Sequence, residues 1–262
     1  MYASVSCAND RPTGGVKVSA AWNSQSLNGA VRLELRRYLT SDFEQMLPYY
    51  TVVYSKPTGS ASLTVADLTF DFVDVAPVAK VSYTYDYVVI NSSNLEFEQE
   101  SAAIVSEFEG IVVADANGSW HSAFGTSENR FAVNAQKNKP VNYIVTLSGK
   151  FPHRVSNTQA NYWTGTCVAV WLPHITTEAG CVEPTIENAN DYRLTFMEWL
   201  MSDTEKYMKT SDGKVMMISI DGNPQEVYNQ VTGLTGVSFD WTQIGEVGRP
   251  AYNAIPGPAW KG

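Results

Sequence analysis

Alternation of apolar and polar residues runs through the first hundred positions and leaves few folds open. In Val31-Arg32-Leu33-Glu34-Leu35-Arg36 the apolar side chains fall on one side and the charged ones on the other, which is the two-residue period of a half-buried strand. Val81, Tyr83, Tyr85, Tyr87 and Val89 repeat the pattern, with Ser82, Thr84 and Asp86 between them. Further strands are expected over Val16 to Trp22, Tyr50 to Tyr54, Leu63 to Val65, Phe70 to Val75 and Ala102 to Val105. Turn-forming clusters such as Asn23 to Gly29 and Lys56 to Ser60 separate them. No helical period competes here. Strands of this length and spacing predict an antiparallel sandwich over residues 15–105. Residues 1–14 are expected to form an N-terminal arm.

From Glu107 the texture changes, and residues 106–247 read as a second domain. Phe108 to Val113 and Trp120 to Phe124 flank Asp115-Ala116-Asn117-Gly118, a turn whose Asn and Gly tolerate positive φ and so favour a hairpin. Strands are expected over Asn142 to Ser148 and Thr166 to Leu172. One helix is predicted near residues 191–206, capped by Asn190 or Asp191. Tyr192, Leu194, Phe196, Met197, Trp199, Leu200 and Met201 cover most of its circumference, and Thr195, Glu198 and Ser202 leave a narrow polar stripe. A helix that apolar needs cover on more than one side, supplied by its own chain, the first domain or a neighbouring subunit. Asp212-Gly213 then turns into a strand from Lys214 to Ile220, Asp221-Gly222-Asn223-Pro224 breaks that strand, and Val237 to Trp241 alternates as a last one.

Residues 248–262 form a C-terminal arm with Pro250, Pro256 and Pro258, and proline is excluded from a sheet interior. Tyr252 and Trp260 are large rings for a solvated tail. Together with Trp199 they are the candidate subunit-interface residues, and the two arms are the candidate bridging segments.

Charge narrows the function. The 262 residues carry 18 Lys and Arg against 27 Asp and Glu, a net charge of −9, and only 17% are charged where about a quarter is usual. With 44% hydrophobic residues the chain is not a disordered one. A surface of that sign repels phosphate backbones and anionic membranes. No apolar run reaches the roughly 18 residues of a membrane span, and the polar stretch Met1 to Gly15 lacks the apolar region of a signal peptide. Cys7, Cys167 and Cys181 show no CxxC spacing and read as thiols of a chain made in a reducing compartment. A Cys167–Cys181 bridge would need an oxidising one.

Catalytic patterns are missing. His121, His153 and His174 lack HxxxH or HxH spacing and read as structural. His174 with Cys167 and Cys181 would have to converge in space to hold zinc, and the three have no clip-like spacing. Asp67, Asp71 and Asp74 read as solvated strand carboxylates, and Glu96, Glu98, Glu100, Glu107 and Glu109 as a solvated face and loop. Asp115 to Gly118 lacks the ligand pattern of a calcium loop. There is no GxSxG, P-loop or GxGxxG. No enzyme, cofactor or metal is expected. A sugar-stacking platform of Trp120, Tyr143, Tyr162, Trp163 and Trp171 is the competing idea. Trp171 and Tyr143 fall on apolar strand registers and are expected in the core, which leaves Tyr162 and Trp163 as the glycan-stacking candidates.

Val18-Ser19-Ala20-Ala21-Trp22 resembles the early strand of a fibronectin type III sandwich with its core Trp, and Tyr83-Thr84-Tyr85-Asp86-Tyr87-Val88-Val89 resembles its late strand. That family commonly has a Gly before the late strand, where this chain has Val78-Ala79-Lys80. The second region is similar to tail proteins of tailed bacteriophages. Glu107 to Ile111, Leu147 to Pro152, Asn161 to Gly165 and the block from Phe196-Met197-Glu198-Trp199-Leu200 to Val237-Ser238-Phe239-Asp240-Trp241 carry the likeness. The helix-hairpin-strand ending resembles that of distal tail proteins. The resemblance implies a mainly β chain, a fibronectin III-like sandwich followed by a tail-tube-like split β-barrel with one α-helix. It further implies a virion structural protein in the tail tip or baseplate: a homo-oligomeric, hexameric ring in contact with other tail proteins, with DNA only in transit through its channel. The alternative is a carbohydrate- or receptor-binding module of a phage or cell-surface adhesin.

Overall fold

The computed structural model describes residues 2–10, 13–108, 110–124, 132–138, 141–144, 153–156, 161–171, 175–177, 180–182, 186–228 and 233–246. Among these the chain is mainly β, with antiparallel sheets of three, four and seven strands, two two-stranded ribbons and two α-helices. The first half contains β1 (Ala3–Asp10), β2 (Gly15–Trp22), β3 (Ala30–Leu39), the short helix α1 (Thr40–Glu44), β4 (Tyr50–Lys56), a 3-10 turn (Val65–Leu68), β5 (Phe70–Asp74), β6 (Ser82–Asn91) and β7 (Glu96–Val105). One sheet has the order β1-β2-β5 and the other β4-β3-β6-β7. Val16, Val18 and Trp22 from the first meet Leu33, Leu35, Tyr85 and Tyr87 from the second in one core. This is a sandwich of the kind that period-two sequences demand, apolar residues inward from both sheets.

Several expectations change here. The N-terminal segment is a strand of the sandwich and not an arm: β1 pairs with β2 along its whole length, from Ala3 opposite Trp22 to Asp10 opposite Gly15. Leu63 to Val65 is not a strand. Thr64 instead opens the 3-10 turn, and its backbone N–H donates to Asp67 Oδ2 at 2.8 Å, a reciprocal capping arrangement that a local side chain offers against sheet pairing. Glu96, Glu98 and Glu100 lie on β7, in keeping with the acidic face expected there.

The second half contains β8 (Gly110–Asp115), β9 (Trp120–Phe124), β10 (Ala132–Asn138), β11 (Val141–Ile144), β12 (His153–Ser156), β13 (Tyr162–Ala169), β14 (Ile175–Thr177), β15 (Gly180–Val182), α2 (Ile186–Leu200), β16 (Lys206–Thr210), β17 (Val215–Tyr228) and β18 (Thr235–Glu246). The seven-stranded sheet has the order β10-β13-β18-β17-β16-β8-β9, and β11-β12 and β14-β15 form separate ribbons. Among the described residues the sheet does not close into a barrel, because β10 pairs only with β13 and β9 only with β8. Helix α2 packs on one face of the sheet. There Phe196 and Leu200 join Ile111, Val113, Cys167, Ile218, Phe239 and Trp241 in a second core.

The helix spans Ile186–Leu200, so it both starts and ends earlier than the sequence predicts. Asn190 is not its cap. It lies inside α2, where its side-chain amide donates to Gly233 O at 3.3 Å and its Oδ1 accepts the Thr235 N–H at 3.0 Å, tying the helix to the start of β18. At its C-terminal end the Trp199 carbonyl accepts both the Ser202 N–H at 3.1 Å and the Ser202 hydroxyl at 2.8 Å, which satisfies one of the terminal carbonyls. Asp221 to Pro224 does not end β17 either. The strand continues past it with a register shift between Asp221 and Gln225, a bulge that absorbs Gly222 and Pro224 without loss of pairing beyond.

The two halves meet at a buried junction. Val75, Phe108, Val112, Ala114 and Trp120 form a third cluster. Lys209, fully buried, donates from Nζ to Gly14 O at 2.6 Å and lies 5.2 Å from the centre of the Phe108 ring. Gly14 has φ +61°, and a Cβ there would stand 2.6 Å from that ring, so both the backbone and the space require glycine.

Candidate functional site

The candidate interface residue Trp199 is held within its own chain. It sits in the last turn of α2, and its Nε1–H donates to Asp115 Oδ2 at 2.8 Å. The His121 ring lies 4.0 Å from it, centre to centre, and the Lys206 ammonium 4.6 Å over it. Asp115 Oδ1 also accepts the N–H groups of Asn117 and Ser119 at 2.9 and 3.0 Å. Burial pushes the Asp115 pKa up, but these donors outweigh it and hold the carboxyl below its ordinary value. Lys206, almost fully buried, donates to Ser202 O at 3.2 Å, Ser202 Oγ at 2.8 Å and Thr204 O at 2.9 Å. A cation there complements the C-terminal end of α2. His121 Nδ1 is hydrogen-bonded to the Tyr192 hydroxyl. This cluster joins the hairpin β8–β9 to α2 and serves packing. Tyr252 and Trp260 lie outside the described residues.

The glycan-stacking candidates are on a strand. Tyr162 and Trp163 open β13, and both are half-buried. Trp163 packs against the second core, its N–H donates to Gln243 Oε1 at 3.1 Å, and the ammonium groups of Lys137 and Lys214 lie 5.7 and 4.3 Å over its ring. A ring so covered is a poor sugar platform. Trp171 is buried and stacks on Phe196 at 4.2 Å, as its apolar register predicts. The side chains of Tyr143, His153 and Cys181 lie outside the described residues, as does all of His174. Cys167 is a free, buried thiol whose pKa is raised by burial, and Cys7 is free and pushed up to about 12 by the same cause. Neither has the lowered pKa of a reactive cysteine. Among the described residues no group of three His, Cys, Asp or Glu side chains could hold a metal ion, and no helix is long and apolar enough to cross a membrane.

Sequence reasoning missed the buried charges. Asp74, expected in solvent, is fully buried and ion-paired to Arg37. The Tyr85 hydroxyl donates to its Oδ2 at 3.0 Å, and the Ala76 N–H to its Oδ1 at 3.1 Å. The signal was present: Arg37 follows Leu33 and Leu35 on the inward register of β3. On the outer face of the same sheet Asp86 is buried, accepting from Gln99 Nε2 at 3.0 Å through Oδ2, while its Oδ1 has no hydrogen-bond partner. Burial pushes its pKa up to about 6, against the opposing effects of Gln99 and Arg36.

The surfaces that remain are apolar and uncovered. Leu39, Met46, Tyr49, Tyr50 and Val52 are exposed around α1 and β4, and Leu194, Met201 and Ile244 around α2. Leu194 lies two helical turns before Met201, so the two share one stripe. No protein-family model and no curated protein matches the chain.

Proposed function

We propose that the protein is a virion structural component, one subunit of a ring at the distal end of a phage tail, in the baseplate or tail tip. The observation that carries this is the seven-stranded sheet whose end strands, β10 and β9, each pair on one side alone among the described residues. Such edges are liabilities in a lone molecule, and two different edges that pair head to tail between copies generate a ring when the rotation between copies closes. The exposed apolar residues of α2 add surface that a neighbour would cover. A split barrel shared around the ring, and six copies, follow from the resemblance to distal tail proteins.

The sandwich supports the fibronectin III-like assignment through its strand orders and through Tyr83, whose hydroxyl accepts the Val78 N–H at 3.1 Å. This is the corner that a tyrosine near the start of such a strand makes with the backbone upstream. It would face adjacent baseplate proteins. The net charge of −9 suits a channel that DNA passes through without adhering. No catalytic role, cofactor or membrane is part of this proposal. Electron microscopy of the purified protein tests it: ring-shaped oligomers are expected, and a monomer that also fails to assemble with other tail proteins would refute it.

A further inference from the structure

The outer face of the four-stranded sheet carries an ion-pair network that departs from its own strand register. Arg36 of β3 stands directly opposite Asp86 of β6, which sets their Cβ atoms about 5 Å apart on one face. Opposite charges at that spacing ordinarily pair. Here the Arg36 guanidinium donates instead to Glu34 Oε2 on its own strand, from Nε at 3.0 Å and Nη2 at 2.8 Å, and to Glu96 Oε1 on β7 at 2.6 Å. Asp86 is 0% exposed, and its Oδ1 has no hydrogen-bond partner.

The groups around Asp86 come from both neighbouring strands. β3 brings Glu34, Arg36 and Tyr38, and Arg32 binds Glu34 Oε1 at 3.1 Å. Tyr50 of β4 lies beneath the guanidinium, its ring centre 4.7 Å away. β7 brings Ser101, Glu96 and Gln99, whose amide donates to Asp86 Oδ2 at 3.0 Å. Helix α1 is joined to β6 through Thr40, which accepts from the Thr84 hydroxyl at 3.2 Å. With Asp86 neutral, Arg32 and Arg36 balance Glu34 and Glu96. Ionising Asp86 adds a third carboxylate, buried, and a buried charge without a partner is costly. Burial pushes its pKa up to about 6 against Gln99 and Arg36, and Glu96 adds to the rise, so this proton leaves as pH climbs through about 6. Of the two present partners of Arg36, Glu96 is the one more readily released. Its side chain is 45% exposed and regains water, against 14% for Glu34.

We propose that Asp86 and Arg36 form a pH-operated latch: with Asp86 protonated the guanidinium ties β3 to Glu96 on β7, and with Asp86 ionised it turns to Asp86 and frees Glu96 into solvent. The face thereby gains a free carboxylate and loses the side-chain tie that crosses β6. The latch lies within the sandwich and does not depend on the ring assignment.

Crystal structures of the full chain at pH 5 and pH 8 test it, with Asp86→Asn at pH 8 as the form that stays neutral. Arg36 is expected on Glu34 and Glu96 at pH 5 and in the variant. In the parent at pH 8 it is expected within hydrogen-bond distance of Asp86, with Glu96 in solvent. In solution, the Arg36 Nε–H resonance of arginine-labelled protein is expected to shift with the same midpoint as the Asp86 carboxyl carbon. Arg36 still bound to Glu96 in the parent at pH 8, a shift that persists in Asp86→Asn, or a resonance that does not move between pH 5 and 8 would overturn the latch.

Discussion

Arg37 and Asp74 place opposite charges in the middle of the sandwich, 5% and 0% exposed. The pair spans the two sheets, from β3 to β5, and Tyr85 and Ala76 donate to the same carboxylate. Removing one partner strands a charge away from water, so Asp74→Asn is expected to cost about 3–5 kcal/mol, measured as a fall in the urea midpoint at constant slope. Asp86 behaves differently. Its pKa in the fold, about 6, exceeds the value of 3.8 it has when exposed, so the stability linked to its proton is present below pH 4 and is lost as pH rises through 6. Asp86→Asn, which cannot ionise, is expected to exceed the parent by about 2–3 kcal/mol at pH 7, the gap closing near pH 4. Urea titrations across that range check it, and a gap that does not depend on pH would contradict the assignment.

Among the elements, β13 shows what the sequence reveals and what it hides. Its apolar residues, Cys167 and Ala169, read correctly as a buried strand, yet its start at Tyr162 does not, because Thr164 and Gly165 resemble a turn. The structure gives Gly165 another reason. A Cβ there would lie 1.8 Å from Asn134 O in the paired strand β10, so glycine permits the close approach of two backbones. Gly165→Ala is expected to displace β10, seen as faster amide exchange in residues 132–138 than in β16 or β17. Helix α2 makes the same point from the other side. Its existence is plain from apolar residues, but its placement on the sheet rests on Asn190 bonding β18, and its last turn closes on Ser202. The first of these joins positions that local sequence does not connect. The two-residue period is legible because it reports burial directly; pairing across long separations is not.

For the whole molecule, the sandwich and the seven-stranded sheet share the junction of Phe108, Lys209 and Gly14. Phe108→Ala removes the ring that packs against Gly14 and lies beside the Lys209 ammonium, with a loss of about 3–5 kcal/mol expected for a buried Phe. Calorimetry is expected to resolve two transitions in that variant where the parent shows one. An unchanged single transition would mean that the junction does not couple the halves. The low charged fraction, 17%, fits a molecule whose neighbours cover surface that one copy leaves bare. Sedimentation velocity of the purified protein tests that assembly most directly. A closed species of several copies of the 28.9 kDa chain, six by resemblance, is predicted, and a protein that sediments as a monomer at every concentration would contradict it.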